Sequence, residues 1–250
     1  MSFFSNLSSY IISAVISFLI GYFGRVALEY IRKPRPSRKI WMFHDGEDIN
    51  IITSYAGRDE KELGYLGYKC DLFCAKKVQL ALQSLYKKSK INIFLECESN
   101  YDIQKQVVLV GGSAHNRLSK EILSKSHIPY YIDDEHRLIN RNAPEIFYEA
   151  KEVNLNFTED YALVLNCINP MNRRNRMVLI AGCRGLGCEA AGQFLYEANK
   201  EVHSKLKENP NKSFAIILKC TSHYNSKGNP TMNGIGATIE NIQFFEEYAE

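Results

Sequence analysis

The sequence predicts an α/β fold, with a Rossmann-like, mostly parallel sheet and flanking helices, preceded by one N-terminal transmembrane helix. Residues 2–24 carry no charged side chain, and beyond residue 40 short β-branched runs alternate with helical stretches. In addition, two apolar runs each pass into a glycine turn and then a helix. We therefore divide the chain into an anchor helix (1–31), a basic, proline-containing linker (32–39) and a cytoplasmic Rossmann-like domain (40–250).

The anchor prediction depends on the apolar segment from Tyr10 to Phe23, because a bilayer-spanning helix needs about 20 mostly apolar residues. A cationic cluster follows it, formed by Arg32, Lys33, Arg35, Arg38 and Lys39. By the positive-inside rule, this cluster predicts a single-pass inner (cell) membrane protein with a cytoplasmic C-terminal domain and the lipid bilayer as a partner. A cleaved signal peptide fits less well, since no basic region precedes the apolar segment. A buried or self-associating helix of a soluble protein stays open as an alternative.

The composition excludes several classes of function. The net charge is only +3 and the cations are scattered outside the linker, which argues against nucleic acid as a partner. The seven cysteines are odd in number and irregularly spaced, as expected for reduced thiols. Because no set of residues has metal-ligand spacing, we expect no metal site.

The domain pattern alternates strands and helices. The predicted strands are Ile40–Phe43, Ile49–Ser54, Ile91–Glu96, Val107–Val110, Tyr161–Cys167, Met177–Ala181 and Phe214–Lys219. The predicted helices are Cys70–Lys87, Leu118–Ser124 and Cys188–Lys207. The polar segment 127–159, with Tyr130–Ile132 as a short strand, is expected to connect two halves of the domain. The acidic C-terminal tail is expected to be the solvated end of a helix.

The first glycine turn follows the apolar run Val107–Val110. Gly111 and Gly112 would let backbone N–H groups converge at the end of a strand, and three polar side chains follow, Ser113, His115 and Asn116. These residues are candidates for binding a phosphate-bearing ligand. The alternative is a tight strand-to-helix connection in which Asn116 is the N-cap.

The second glycine turn follows Met177–Ala181 and contains the candidate ligand-binding residues Gly182, Arg184, Gly185 and Gly187. A helix that begins here would attract an anion to its N-terminus. Arg184 stands where a dinucleotide fingerprint needs glycine, which disfavours NAD. Arg184 would either donate to a phosphate or block the site.

Two resemblances rest on these turns. The stretch Val178–Glu189, VLIAGCRGLGCE, resembles the glycine motif of ubiquitin-activating-type adenylating enzymes. A wider pattern is similar to poorly characterised prokaryotic Rossmann-like domains, some with membrane segments, that are thought to sense nucleotide signals. It comprises Gly111-Gly-Ser-x-x-Asn116, Asp160-Tyr-Ala-Leu163, Asn169-Pro170 and Ala181-Gly-x-x-Gly-x-Gly-x-x-Ala-Ala191. This resemblance implies a role in bacterial defence or stress signalling.

We therefore expect a membrane-anchored sensor or effector domain that binds a nucleotide. The sequence indicates no certain cofactor, and it leaves a homo-oligomer open. A nucleotide-processing, hydrolase-like enzyme is the first alternative, with Glu189, Asp160 or His115 as acid or base. No Walker A, G-x-S-x-G or H-E-x-x-H motif occurs in the sequence. A protein-interaction domain without a small-molecule ligand is the second alternative.

Overall fold

A computed structural model describes most of the chain, as two units, Met1–Pro34 and Arg35–Glu250. The described residues are 17–24, 36–59, 64–66, 68–153, 156–197, 200–224 and 230–247. Of the predicted anchor, residues 17–24 are helical, and the remainder lies outside the described residues.

The transmembrane prediction is wrong for the part of the chain that the structure describes, where no helix is both long enough and apolar enough to cross a bilayer. The same finding contradicts the prediction of a single-pass inner-membrane protein.

The second unit contains thirteen strands and five helices among its described residues. The strands are β1 (Ile49–Thr53), β2 (Gly57–Asp59), β3 (Gly64–Leu66), β4 (Ile91–Leu95), β5 (Gln106–Val110), β6 (Tyr130–Ile132), β7 (Leu138–Asn140), β8 (Phe147–Tyr148), β9 (Lys151–Val153), β10 (Asn156–Ile168), β11 (Arg176–Gly182), β12 (Ser213–Tyr224) and β13 (Pro230–Phe245). The helices are α1 (Arg38–Trp41), α2 (Lys69–Leu85), α3 (Arg117–Leu123), α4 (Gly185–Tyr196) and α5 (Lys200–Lys207).

The main sheet has eight strands, ordered β13-β12-β10-β11-β5-β1-β4, with β9 paired to β10. The pairings from β4 through β1 and β5 to β11 are parallel, whereas those of β10 with β9, β11 and β12, and of β12 with β13, are antiparallel. The sheet is therefore mixed and mostly antiparallel, and the prediction of a mostly parallel, Rossmann-like sheet is wrong.

Short connections explain the antiparallel half. The turn 169–175 joins β10 to β11, with the Asn169 amide donating to the Asn175 carbonyl at 2.9 Å. A turn this short can connect only antiparallel neighbours, because a parallel connection needs a crossover of a dozen or more residues. Such a crossover exists between β1 and β4, where α2 lies.

Both faces of the sheet are covered, so its central strands are continuous apolar runs. All five residues of β5 are buried. Its residues alternate between two cores: Val108 and Val110 pack with α2 and α4, whereas Val107 and Leu109 pack with α3 and the small sheet β6-β7-β8.

Three predicted elements differ from the structure. Ile40–Phe43 was expected to be a strand, but α1 occupies this region, and its carbonyls at Ile40 and Trp41 accept hydrogen bonds from the buried Asn166 side chain. The helix predicted at Cys188–Lys207 is two helices, α4 and α5. The acidic C-terminal tail was expected to be a helix end, but it follows the strand β13, and its described residues Glu246 and Glu247 are not helical. The helices predicted at Cys70–Lys87 and Leu118–Ser124 are confirmed as α2 and α3.

Candidate ligand-binding crevice

The two glycine turns meet at one edge of the sheet. They follow β5 and β11, which are adjacent and parallel, so their carboxyl ends lie side by side. The Gly111 amide donates to the Ile180 carbonyl at 2.9 Å, and a Cβ at Gly112 would lie 3.4 Å from the Gly182 carbonyl oxygen. Ligands of open α/β sheets bind at this edge.

A cavity of about 190 Å³ opens there, which we call the crevice. The first turn contributes Gly112, Ala114 and His115, and the second turn with the start of α4 contributes Gly182, Cys183, Arg184, Gly185 and Cys188. The start of α2 contributes Tyr68, Lys69, Cys70 and Asp71, and the β6–β7 hairpin contributes Ile132 and His136.

Five of the nine predicted ligand-binding residues therefore line the crevice: Gly112, His115, Gly182, Arg184 and Gly185. The other four, Gly111, Ser113, Asn116 and Gly187, do not line it. Asn116 is the N-cap of α3, since its Oδ1 accepts from the Ser119 amide at 3.1 Å and its Nδ2 donates to the Val110 carbonyl at 3.2 Å.

Gly111 is needed by the backbone. Its φ of +110° is a conformation that side chains disfavour, and a Cβ there would overlap the Ser54 Oγ. In the second turn, a Cβ at Gly187 would lie 2.5 Å from the Tyr161 carbonyl oxygen. These two glycines allow elements to pack closely, which is the role that the sequence analysis left open as its alternative for the first turn.

Asp160 occupies the position where the sequence led us to expect an anionic ligand. Its buried carboxylate accepts hydrogen bonds at the start of α4, from the Arg184 amide at 3.2 Å and the Gly187 amide at 2.5 Å. Burial raises the pKa of Asp160 to about 6, although these backbone donors act in the opposite direction. An anion in the crevice must therefore be held chiefly by side chains.

Several cationic or titratable side chains line the crevice. His136 has a left-handed backbone, with a φ of 65°, at the turn between β6 and β7. Burial lowers its pKa, and the positive charge of Arg184 lowers it further, so its imidazole is neutral near pH 7. Lys69 adds another cation at the start of α2.

An aromatic pair adjoins these groups. The rings of Tyr68 and His115 lie with their centroids 4.2 Å apart and their planes inclined by 32°. Both side chains are exposed, so a planar ligand group could stack on either ring.

The thiols that line the crevice are not activated. Burial raises the pKa of Cys70, and it raises that of Cys183 to about 12. The pKa of Cys188 is raised by its hydrogen bond with Cys74 and then by burial. All three are protonated at neutral pH and are poor nucleophiles. Among the described residues, no group of three His, Cys, Asp or Glu side chains could hold a metal ion.

Sequence reasoning missed the residues that come from distant parts of the chain. His136 is isolated in the sequence, and no motif near it marks a site. Asp71 lies in the first turn of α2 and is only 7% exposed. The signal that could have identified it is an acidic residue at the start of a predicted helix.

A comparison of the sequence with protein-family models found no match, and neither did a comparison with curated proteins.

Proposed function

We propose that the protein is a nucleotide-binding sensor or effector domain whose ligand binds in the crevice. The observation that carries this proposal is the meeting of two glycine turns at the carboxyl ends of β5 and β11, with Arg184 and His115 on the turns themselves. A guanidinium is suited to a phosphate group, and the Tyr68–His115 pair is suited to a base. The resemblance to nucleotide-sensing prokaryotic domains extends the proposal to defence or stress signalling.

The arrangement of acids and bases favours binding over turnover. Of the three groups considered as acid or base, Asp160 is fully buried beneath the second turn, and Glu189 is hydrogen-bonded to Cys70. His115 lines the crevice, but its ring packs on Tyr68, and the thiols around it are protonated. Cys188 has a hydrogen bond with Asp71 in the crevice, but the pKa of this thiol is raised well above its ordinary value, so the pair supplies no activated nucleophile.

The test uses the full-length protein, with native mass spectra and thermal melts recorded against mono-, di- and cyclic nucleotides, NAD and ADP-ribose. We expect one class of nucleotide to be retained and to raise the melting temperature. Arg184→Gln should weaken binding by about 1.5–3 kcal/mol, the value of a hydrogen bond to a charged group.

Arg174→Gln is the matched control, because Arg174 is an exposed arginine on the turn at the opposite end of β10 and β11. It should bind like the wild type. If a folded sample responds to none of these compounds, the proposal fails, and a protein-interaction domain with purely structural glycine turns becomes the better description.

A further inference from the structure

A second cavity of about 310 Å³ adjoins the crevice. Ala114, Ile132 and His136 line both cavities, so the two meet at these residues. The second cavity then extends along α3, past Lys120 and Ser124, to Arg141.

Arg141 has a fixed guanidinium in this second cavity. Its Nη2 donates to the Leu123 carbonyl at 2.7 Å, and the guanidinium lies over the Tyr131 ring, 4.6 Å from the centroid. Its Nε is buried and finds no acceptor among the described residues. A half-buried cation whose hydrogen-bonding capacity is incompletely used favours an anionic partner.

The acids nearby do not supply that partner within the described part of the chain. Asp133 lines the same cavity but is ion-paired with Arg137 at 2.7 Å. Its carboxylate also accepts from the Arg137 amide at 2.8 Å and the Glu135 amide at 3.1 Å. Asp134 also lines the cavity and is exposed to solvent. Lys120, also exposed, adds a second cation on the α3 side.

We infer that the two cavities form one site for a nucleotide with anionic groups at both ends. One group lies near Arg184, the other near Arg141 and Lys120, and the middle of the ligand passes over Ile132 and His136. The crevice alone is smaller than the 300–1,000 Å³ typical of pockets for drug-sized ligands, whereas the joined cavities fall within that range. This inference rests on the proposed function, since it assigns the ligand class of the same site.

The experiment is calorimetric titration of the full-length protein, at about 0.15 M salt, where long-range charge effects are screened. The probes are the nucleoside 5′-monophosphates of the four common bases and the matching 3′,5′-bisphosphates. We expect the bisphosphate of the preferred base to bind at least tenfold more tightly than its monophosphate. Arg141→Gln should remove that preference and leave monophosphate affinity unchanged, whereas Arg184→Gln should weaken both.

Lys120→Gln is the second variant, because an exposed lysine can be replaced without loss of folding. It should lower bisphosphate affinity about threefold or more and leave monophosphate affinity unchanged. Arg117→Gln is the matched control: it removes a cation from the same helix, but Arg117 lines neither cavity and pairs with Glu96.

The outcomes separate this inference from the proposed function. Equal affinity for the two ligand classes would remove the two-ended site and leave nucleotide binding in the crevice intact. A bisphosphate preference that survives both Arg141→Gln and Lys120→Gln would also overturn the inference. Failure of every monophosphate and bisphosphate to bind, if the broader nucleotide panel fails as well, would remove the proposed function together with it.

Discussion

Gly192 of α4 packs directly on Cys74 of α2, so closely that a Cβ at Gly192 would lie 2.7 Å from the Cys74 Cα. About two turns of α4 nearer the crevice, a Cβ at Gly185 would lie 2.9 Å from the Cys70 Sγ. Small residues on α4 therefore allow α2 and α4 to approach, and the first turns of both helices line the crevice.

Gly192→Ala should destabilise the protein, because the obstructing atoms include backbone that cannot move away. Overpacking of this kind costs about 1–3 kcal/mol, which exceeds the gain of up to about 1 kcal/mol from replacing a helical glycine. Urea unfolding measures the difference. Gly236→Ala is the control, since its Cβ would meet nothing closer than the Thr221 Oγ1 at 3.7 Å; equal effects of the two substitutions would contradict close helix packing.

Asp160 should make stability depend on pH. Its pKa is about 6 in the folded protein and about 3.8 in the unfolded chain, so between these values the folded state binds more protons. The free energy of unfolding contributed by Asp160 therefore decreases as pH rises through this window, by about 3 kcal/mol in total, and is level above it.

Urea titrations of the wild type and of Asp160→Asn between pH 4 and pH 7.5 test this sign. The wild type should lose stability relative to the variant as pH rises, because the variant has no carboxylate to ionise. Parallel profiles would show that Asp160 keeps its ordinary pKa.

Asn166 should be required for α1 to dock. Its Nδ2 donates to the carbonyls of Ile40 and Trp41, and its Oδ1 accepts from the Arg176 Nε at 2.8 Å. Asn166→Leu leaves these buried groups without partners, at about 1–3 kcal/mol for each unsatisfied group. Denaturant unfolding should show a loss of several kcal/mol, against less than about 1 kcal/mol for Asn172→Ala, whose side chain donates to the Gln104 carbonyl in an exposed turn.

Alkylation of native cysteines should report on the crevice. Cys70 lines it and Cys97 does not, and both are partly accessible. Burial raises the pKa of both thiols, so slow modification at pH 7 is expected for each. A saturating nucleotide should slow modification of Cys70 and leave Cys97 unchanged, as followed by peptide mass spectrometry; protection of Cys97 alone would place the ligand elsewhere.

The parallel half of the sheet could be predicted from the sequence because its strands carry their own signal. β5 and β11 are buried on both faces, and this makes them uninterrupted apolar runs that end in glycine. Two such runs suggested a mostly parallel sheet. Strand direction, however, is set by the connections, and the short turn after β10 reverses it.

The antiparallel edge had a weaker signal. In β13, Ile235, Ala237 and Ile239 pack against the core, whereas Thr238 and Glu240 are exposed, which is the alternation of a half-buried strand. The glycines and acids around this segment suggested a turn and a solvated helix end instead. Pairing with the long strand β12 overrides those local preferences.

The crevice could be predicted only in part, because many of the residues that form it are far apart in the sequence. The glycine turns were visible because each is a local strand-turn-helix pattern. The contact between Asp160 and the Arg184 amide joins residues 24 positions apart, and His136 reaches the crevice from a separate hairpin. No local pattern encodes such contacts, so neither the occupied helix terminus nor the role of His136 followed from the sequence.

The division of the sheet into two halves has a consequence for folding kinetics. The β10–β11 hairpin closes over residues 169–175, whereas pairing β4 with β1 must first close the chain over residues 54–90. Loop-closure entropy grows with length, so we expect the hairpin in the nucleus and the β1–β4 and β5–β11 pairings to condense later. A ligand bound where β5 meets β11 would then hold together contacts absent from the transition state. It should slow unfolding while leaving the folding rate almost unchanged.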